Sequence, residues 1–124
     1  MEFGNRPVRV LLVPADRTRP LRSLTLAAGR FEAELGGRPE SVLPNVSSAP
    51  PAEWMLFVAA DARGRAPVNT RAQLLSSHLG GAPGRTLHGT VLFTGNASGQ
   101  RIRGVPGLVA QLATLLGLQV RSVE

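Results

Sequence analysis

The chain contains no cysteine, no lysine and no tyrosine among its 124 residues. The absence of cysteine excludes disulfide bonds, thiolate nucleophiles and cysteine-based metal sites, and it fits a reducing compartment. No apolar run approaches the ~20 residues that a membrane-spanning helix needs. The opening stretch MEFGNRPVR also lacks the basic and apolar regions of a secretory signal. We therefore expect a cytoplasmic protein without membrane contacts.

Acidic residues are few, and arginine supplies all of the positive charge. The 14 basic residues are all arginines and face only 8 acids, which leaves a formal net charge of +6. A positive field of this kind favours a nucleic acid or another polyanion as a partner. The chain is also rich in alanine, glycine, proline and valine, as GC-rich coding produces. Codon bias is therefore an alternative source of the arginines.

Aromatic residues are too few for a protein that reads single strands by stacking on bases. One tryptophan and four phenylalanines are present, and they do not interleave with basic residues as single-strand readers require. No expected helix combines several arginines with an exposed face, so insertion of a helix into the major groove is poorly supported. Contact with nucleic acid would therefore involve arginines on loops, whose guanidinium groups suit bidentate contacts with phosphates.

The overall composition predicts one folded domain. Hydrophobic residues make up 43% of the chain and charged residues 18%, which is too apolar for a disordered chain. A chain of this length can bury roughly two-thirds of its extended surface. We expect a flexible N-terminus at residues 1–7 and a single domain at residues 8–124.

The hydrophobic pattern predicts an α+β fold, with a mixed sheet of about four to six strands and two or three short helices on one face. The expected strands lie at residues 8–14, 21–27, 39–46, 54–60, 86–95 and 118–123, with a turn or hairpin at 96–104. The strand at 39–46 belongs at a sheet edge because Pro44 lacks a backbone N–H. The apolar run at 54–60 predicts a strand buried on both sides, with Trp54 and Phe57 on opposite faces.

Three helices are expected between these strands. The first covers residues 28–35, and the glycines at 36–37 end it. The second begins with Asn69 or Thr70 as its N-cap. The third lies within residues 105–117, and its apolar face is predicted from four leucines: Leu108, Leu112, Leu115 and Leu116.

Five segments carry a resemblance to a known family: RVLLVPAD, ELGGRPESV, WMLFVAADARGR, PVNTRAQLL and LHGTVLFTG. Together they resemble a family of small proteins classified only as a domain of unknown function, which occurs in actinobacteria, their phages and mobile elements. The resemblance covers residues 8–105. It implies a bacterial or phage origin, and it carries over no catalytic residue because the family has none assigned.

The candidate catalytic and metal-binding residues do not form a recognisable site. His78 and His88 are the only histidines, and a metal centre would need carboxylates such as Asp61 near both. Ser76 and Ser77 are adjacent to His78, but adjacency in sequence does not give triad geometry. The stretch GGAPGR follows a helix and precedes a strand, the reverse of a phosphate-binding loop. We therefore predict no enzymatic activity, catalytic residue, metal site, cofactor or small-molecule substrate.

The arginines form three groups along the chain, and these are the candidate residues for binding a nucleic acid or another partner. The groups are Arg17, Arg19 and Arg22; Arg63, Arg65 and Arg71; and Arg101 and Arg103. If the three loops meet at one end of the sheet, they form a continuous surface for phosphates. Solubilising charge scattered over exposed loops is the alternative interpretation.

These observations predict a non-enzymatic binding or regulatory accessory protein that contacts a macromolecular partner and is of phage or mobile-element origin. A nucleic-acid-binding protein that contacts phosphates through its arginine-rich loops is the alternative. For the first hypothesis, the partner is another protein or a second copy of the chain. It would be bound through the C-terminal helix, because no charged residue occurs from 105 to 118. An exposed edge strand at 39–46 is a further route to association.

Overall fold

A computed structural model of the protein describes residues 6–42, 54–81, 85–95, 97–98 and 101–123. Along this part of the chain, two or three consecutive strands precede each helix, and one strand follows the last helix. The strands are β1 Val8–Val13, β2 Leu21–Leu26, β3 Pro39–Val42, β4 Trp54–Ala59, β5 Val91–Gly95, β6 Ala97–Ser98, β7 Arg101–Ile102 and β8 Val120–Ser122. The helices are α1 Phe31–Leu35, α2 Thr70–His78 and α3 Gly107–Leu115, and a 3₁₀ turn at Ala28–Arg30 precedes α1.

Six of these strands form one mixed sheet in the order β3-β4-β5-β1-β2-β8. Neighbouring strands are antiparallel except β2 and β8, which run parallel. Strands β6 and β7 pair separately as a short antiparallel hairpin. The sheet and the three helices confirm the predicted α+β fold and the predicted order of elements. The edge position of β3 is also confirmed, although residues 43–46 of the expected strand lie outside the described residues.

Two hydrophobic layers cover the sheet because successive side chains of a strand point to opposite faces. In β4, Trp54 and Leu56 join one layer, whereas Met55 and Phe57 join the other, so this strand is buried on both sides as predicted. We call the first side face A, which α2 and α3 cover, and the second side face B. On face B, the ring of Phe31 in α1 meets Phe57 edge-on, with 5.3 Å between the ring centroids.

The expectation that all helices lie on one face is wrong, because α1 covers face B. Phe31 and Leu35 of α1 are buried there, whereas Leu75 of α2 and Val109 of α3 are buried on face A. The central strands are apolar on both faces, and each apolar face needs a covering layer to exclude water. A five-residue helix carries too short a pattern to indicate which face it covers.

The buried stripe of α3 also differs from the prediction. Val109 and Ala113 are buried, whereas Leu108 is 66% exposed and Leu115 is 83% exposed. The other two leucines of the predicted face pack against the core and are partly buried. Because nearly the whole helix is apolar, its sequence does not distinguish the stripe that faces the sheet from the one beside it. None of the described helices has the length and apolar character needed to cross a bilayer.

The edge strand β8 is tied to the sheet by an arginine outside the three predicted groups. The Arg9 guanidinium donates hydrogen bonds to the hydroxyl oxygens of Ser23 (3.0 Å) and Ser122 (2.8 Å). These contacts span β1, β2 and β8. They join the C-terminal strand to the first hairpin and so help to position the arginine that β8 contributes to the site.

Candidate functional site

The strand directions gather most of the arginines at one end of the sheet. β1 ends where β2, β5 and β8 begin, because Val13 pairs with Val91 and Leu21 pairs with Val120. β4 ends and β3 begins at the same end. The described loops and strand ends there carry nine arginines: Arg17, Arg19, Arg22, Arg38, Arg63, Arg65, Arg71, Arg85 and Arg121. We call this surface the arginine-rich end.

Two of the three predicted arginine groups meet at the arginine-rich end, and the third does not. Arg101 and Arg103 follow the far end of β5, where the Gly95 N–H donates to the Arg103 carbonyl (2.9 Å). A strand of five or six residues separates the two ends of the sheet by roughly 15–20 Å. The condition for one continuous surface built from all three groups is therefore not met, and only the first two groups share a surface.

Asn69 fixes the start of α2 against the sheet, and its side chain is almost fully buried, with 1% of the residue exposed. The Asn69 Nδ2 donates to the carbonyl oxygens of Val13 (2.8 Å) and Gly89 (2.9 Å). Its Oδ1 accepts a hydrogen bond from the Ala72 N–H (3.0 Å). Asn69 is therefore the N-cap of α2, as predicted. It also joins the helix to the end of β1 and to the segment before β5, which the sequence pattern does not indicate.

The Arg71 side chain is hydrogen-bonded to the backbone of the loop between β1 and β2. Its guanidinium donates to the carbonyl oxygens of Arg19 (2.6 Å), Pro14 (2.8 Å) and Asp16 (2.8 Å). Partial burial lowers the pKa of Arg71, and the nearby Asp16 carboxylate opposes that shift. These contacts hold the loop beside the start of α2, which gives Arg71 a structural role. Among the predicted binding residues whose side chains the structure describes, it has the least capacity left for a partner.

We expect Arg71→Lys to lower the free energy of unfolding by about 1–2 kcal/mol, allowing for the partial exposure of the side chain. An ammonium group cannot donate to three carbonyls in the fork geometry of a guanidinium. Urea unfolding followed by Trp54 fluorescence measures the change. The matched control Arg17→Lys, which alters an arginine without a partner in the same loop, should change stability by less than about 0.5 kcal/mol. Equal changes in both variants would contradict the role of the Arg71 contacts.

The other eight arginines of the arginine-rich end fall into two sets. The paired set is Arg22 with Glu34 (3.3 Å), Arg65 with Asp61 (2.9 Å) and Arg85 with Glu40 (2.8 Å). These ion pairs are exposed or half-exposed, so each contributes only about 0–1 kcal/mol, and a phosphate can compete for the arginine. The second set has no hydrogen-bond or ion-pair partner for its guanidinium groups among the described residues. At this end of the sheet, it consists of Arg17, Arg19, Arg38, Arg63 and Arg121.

Asp16 shapes the loop that presents two of these unpartnered arginines, Arg17 and Arg19. Its carboxylate accepts hydrogen bonds from the Thr18 hydroxyl (2.7 Å) and from the Thr18 N–H (2.9 Å). These hydrogen bonds lower the pKa of the Asp16 carboxyl, and the neighbouring arginines add a smaller effect in the same direction. Asp16 is therefore ionised at neutral pH, and its hydrogen bonds with Thr18 stabilise the turn in this loop.

The described residues line two sizeable clefts at the arginine-rich end. One has a volume of about 550 Å³ and lies between the ends of β3 and β4 and the segment at 85–88. We call it the β4 cleft, and its polar lining includes Glu40, Arg63, Arg85 and His88. The other has a volume of about 370 Å³ and lies on face B. We call it the β8 cleft, and its lining is Leu12, Pro14, Arg19, Pro20, Arg22, Glu34, Thr90 and Arg121.

The two histidines are not brought together. His78 lies at the end of α2, where its Nδ1 is 3.0 Å from the Leu74 carbonyl oxygen. His88 lies at the β4 cleft, where its Nδ1 is 3.1 Å from the Ala66 carbonyl oxygen. In the portion of the chain that the structure describes, no three His, Asp or Glu side chains are close enough to hold a metal ion.

The three sequence groups omit four arginines that belong to the site or support it. Arg38, Arg85 and Arg121 reach the arginine-rich end from segments that are far apart in the chain. Arg9 supports β8 from the first strand. Arg38 and Arg85 each directly precede a predicted strand, so the sequence does place them at strand ends. It does not show that these strand ends lie at the same end of the sheet, because that depends on the strand directions.

Comparisons with known proteins gave no match, whether with family models, with curated proteins or with solved structures. The resemblance to a family of unknown function therefore stays a prediction. The fold and the site define a small α+β protein in which one end of the sheet is strongly basic.

Proposed function

We propose that the protein binds nucleic acid through its phosphates, with the arginine-rich end as the contact surface. The five unpartnered guanidinium groups at this end are the observation that carries the proposal. A guanidinium group fits phosphate oxygens with two parallel hydrogen bonds and keeps its charge at every physiological pH. The three weakly paired arginines add to the positive field. The proposed role is that of an accessory or regulatory factor in the cytoplasm, without catalysis.

The burial of the aromatic residues supports phosphate contact over base recognition. In the described part of the chain, the aromatic side chains that lie in the core are Phe31, Trp54, Phe57 and Phe93. Binding by base stacking needs exposed aromatic rings, and sequence-specific reading needs side chains that reach base edges in a groove. Arginines on loops and strand ends suit the phosphate backbone. We therefore propose binding with little dependence on base sequence.

The salt dependence of binding tests this proposal. If five arginines each contact a phosphate, the association constant for duplex DNA should fall as salt is raised. A plot of its logarithm against the logarithm of the salt concentration should have a slope of about −4.5. Between 50 and 200 mM salt, the affinity should then fall by about 500-fold. Fluorescence anisotropy with two labelled duplexes of unrelated sequence measures both the slope and the dependence on sequence. No binding to either duplex at low ionic strength would exclude the proposed function.

Self-association through α3 is a second candidate, favoured by the two exposed leucines of that helix. Leu108 and Leu115 are seven residues apart and so lie on the same side of the helix. No charged residue occurs from 105 to 118, whereas the whole chain carries a net charge of +6. Two copies can meet at this uncharged face without bringing their arginines together. A symmetric dimer would cover both leucines.

For this candidate, we expect Leu115→Glu to convert the protein from a dimer to a monomer. The added carboxylate would have to be desolvated at the centre of the interface, next to its copy on the partner. Light scattering should give a mass near twice 13.1 kDa for the parent protein and near 13.1 kDa for the variant. Gln119→Glu, which adds the same charge outside α3, should leave the dimer intact. A parent protein that is monomeric at all concentrations would contradict the dimer.

A further inference from the structure

Two arginines lie side by side in the sheet at the β8 cleft. Arg22 of β2 and Arg121 of β8 are partners in the parallel ladder, so their side chains leave the same face of the sheet. Like charges in such opposed positions destabilise a sheet. Of the described residues, Glu34 supplies the one carboxylate of this cleft, 3.3 Å from the Arg22 guanidinium. Arg121 has no such partner among them.

The β8 cleft therefore contains more positive charge than its own residues balance. Arg19 joins the two sheet arginines, so three guanidinium groups and one carboxylate leave two uncompensated positive charges. The volume of about 370 Å³ lies within the range of small-molecule sites. The Thr90 residue adds a hydroxyl group, and Leu12 with the two prolines gives part of the lining an apolar character. This combination suits a compact dianion attached to a less polar group.

We propose that the β8 cleft binds a phosphate monoester. A phosphate monoester carries a charge of about −1.5 to −2 at neutral pH and three strong acceptor oxygens, enough to contact all three arginines. Its charge balances the cleft and offsets the repulsion between Arg22 and Arg121. The phosphate belongs either to the end of a nucleic-acid strand or to a free phosphorylated small molecule. The inference goes beyond the proposed function, because it assigns a terminal or free phosphate to this cleft. Two of the cleft arginines, Arg19 and Arg121, also belong to the proposed contact surface.

Isothermal titration calorimetry with inorganic phosphate at low ionic strength tests the inference directly. The parent protein should bind one phosphate per chain. Arg121→Gln should weaken this binding about tenfold, because it removes one charge-assisted contact from the cleft. Glu34→Gln should strengthen it several-fold, because the carboxylate no longer competes for Arg22. The Arg121 side chain makes no hydrogen bond with another described residue, so the substitution should not change the free energy of unfolding. An unchanged midpoint of urea unfolding would verify this.

Two matched controls test whether changes in phosphate affinity are specific to charges that line the cleft. Arg17→Gln removes an unpartnered arginine at the same end but outside the cleft lining, and Asp61→Asn removes a paired carboxylate outside it. Both should leave phosphate affinity within about twofold of the parent value. The inference is overturned if the parent protein does not bind phosphate, or if Arg17→Gln and Arg121→Gln weaken binding equally. Loss of phosphate binding alone, with duplex binding retained, leaves the proposed function standing.

Two further titrations identify the source of the phosphate. A nucleoside 5′-monophosphate should bind and the matching nucleoside should not, if the cleft takes a phosphate monoester. An oligonucleotide with a 5′-phosphate that binds more tightly than the free monophosphate supports a strand end as the source. Equal affinity for the two supports a free small molecule. Identical binding of oligonucleotides with and without the 5′-phosphate, together with no binding of the monophosphate, contradicts the proposed site.

Discussion

Replacing Asn69 with alanine is expected to lower the free energy of unfolding by about 3–4 kcal/mol. The substitution removes the N-cap of α2 and leaves the carbonyl oxygens of Val13 and Gly89 without their Nδ2 donor at a buried position. Loss of a cap costs about 0.5–2 kcal/mol, and each unsatisfied buried group costs about 1–3 kcal/mol. Domains have total stabilities of about 5–15 kcal/mol, so this loss is large. Urea unfolding at neutral pH measures it.

Asn69→Asp separates the two roles of this side chain. Aspartate caps helices as well as asparagine does, so a residue that served only as an N-cap would tolerate the change. In this protein, the new carboxylate would lie near two carbonyl oxygens, about 3 Å away, with no donor to offer them. We therefore expect Asn69→Asp to be as destabilising as Asn69→Ala at neutral pH. Full stability of Asn69→Asp would show that the contacts with Val13 and Gly89 contribute nothing.

Removing three unpartnered arginines from the arginine-rich end is expected to weaken duplex binding strongly. We choose Arg17→Gln, Arg19→Gln and Arg63→Gln together, because none of these guanidinium groups has a partner whose loss would disturb the fold. Each lost phosphate contact should reduce the magnitude of the salt slope by about one, and the triple variant by about three. At 50 mM salt, the affinity should fall by about three orders of magnitude, on all duplex sequences alike, and the difference should shrink as salt is raised. Fluorescence anisotropy across a salt series provides both quantities.

A charge-matched triple variant at the other end of the protein is the control for this prediction. Arg6, Arg30 and Arg103 are exposed and lie toward the end of the sheet where β1 begins and β5 ends. Changing these three to glutamine removes the same net charge. Because long-range fields are screened within about 10 Å at 0.1 M salt, this control should keep most of the affinity and the slope. Equal losses in the two triple variants would indicate a general charge effect without a defined surface.

The element order was predictable because its signals are local. The fully apolar run of β4 indicated a strand buried on both sides, and Gly36, which adopts a positive φ of 76°, indicated the end of α1. The strand order was not predictable, because β8 pairs with β2 across most of the chain length. No local pattern encodes such a contact. The buried stripe of α3 was missed for a different reason, since a helix that is apolar on several sides gives no preferred face.

The candidate site was partly predictable from loop positions. Arg17, Arg19 and Arg63 were identified because they lie on glycine- or proline-bearing loops after strands. The grouping of Arg101 with them failed because β4 and β5 are antiparallel, which places the loop after β5 at the opposite end from the loop after β4. Arg121 was missed because its position depends on the pairing of the last strand with β2. Strand direction and strand order, both long-range properties, therefore decide which arginines share a surface.

Chemical-shift mapping of the protein with a short DNA duplex is the most direct test of the arginine-rich end as the binding surface. Backbone amide signals from residues 15–19, 36–38, 61–66 and 85–90 and from the beginning of β8 should shift in proportion to bound DNA. Those shifts should reverse when salt is raised to 200 mM. Signals from the 3₁₀ turn before α1 and from residues 101–104, at the other end of the sheet, should stay unchanged. Shifts confined to that other end, or to the outer side of α3, would contradict the proposed surface.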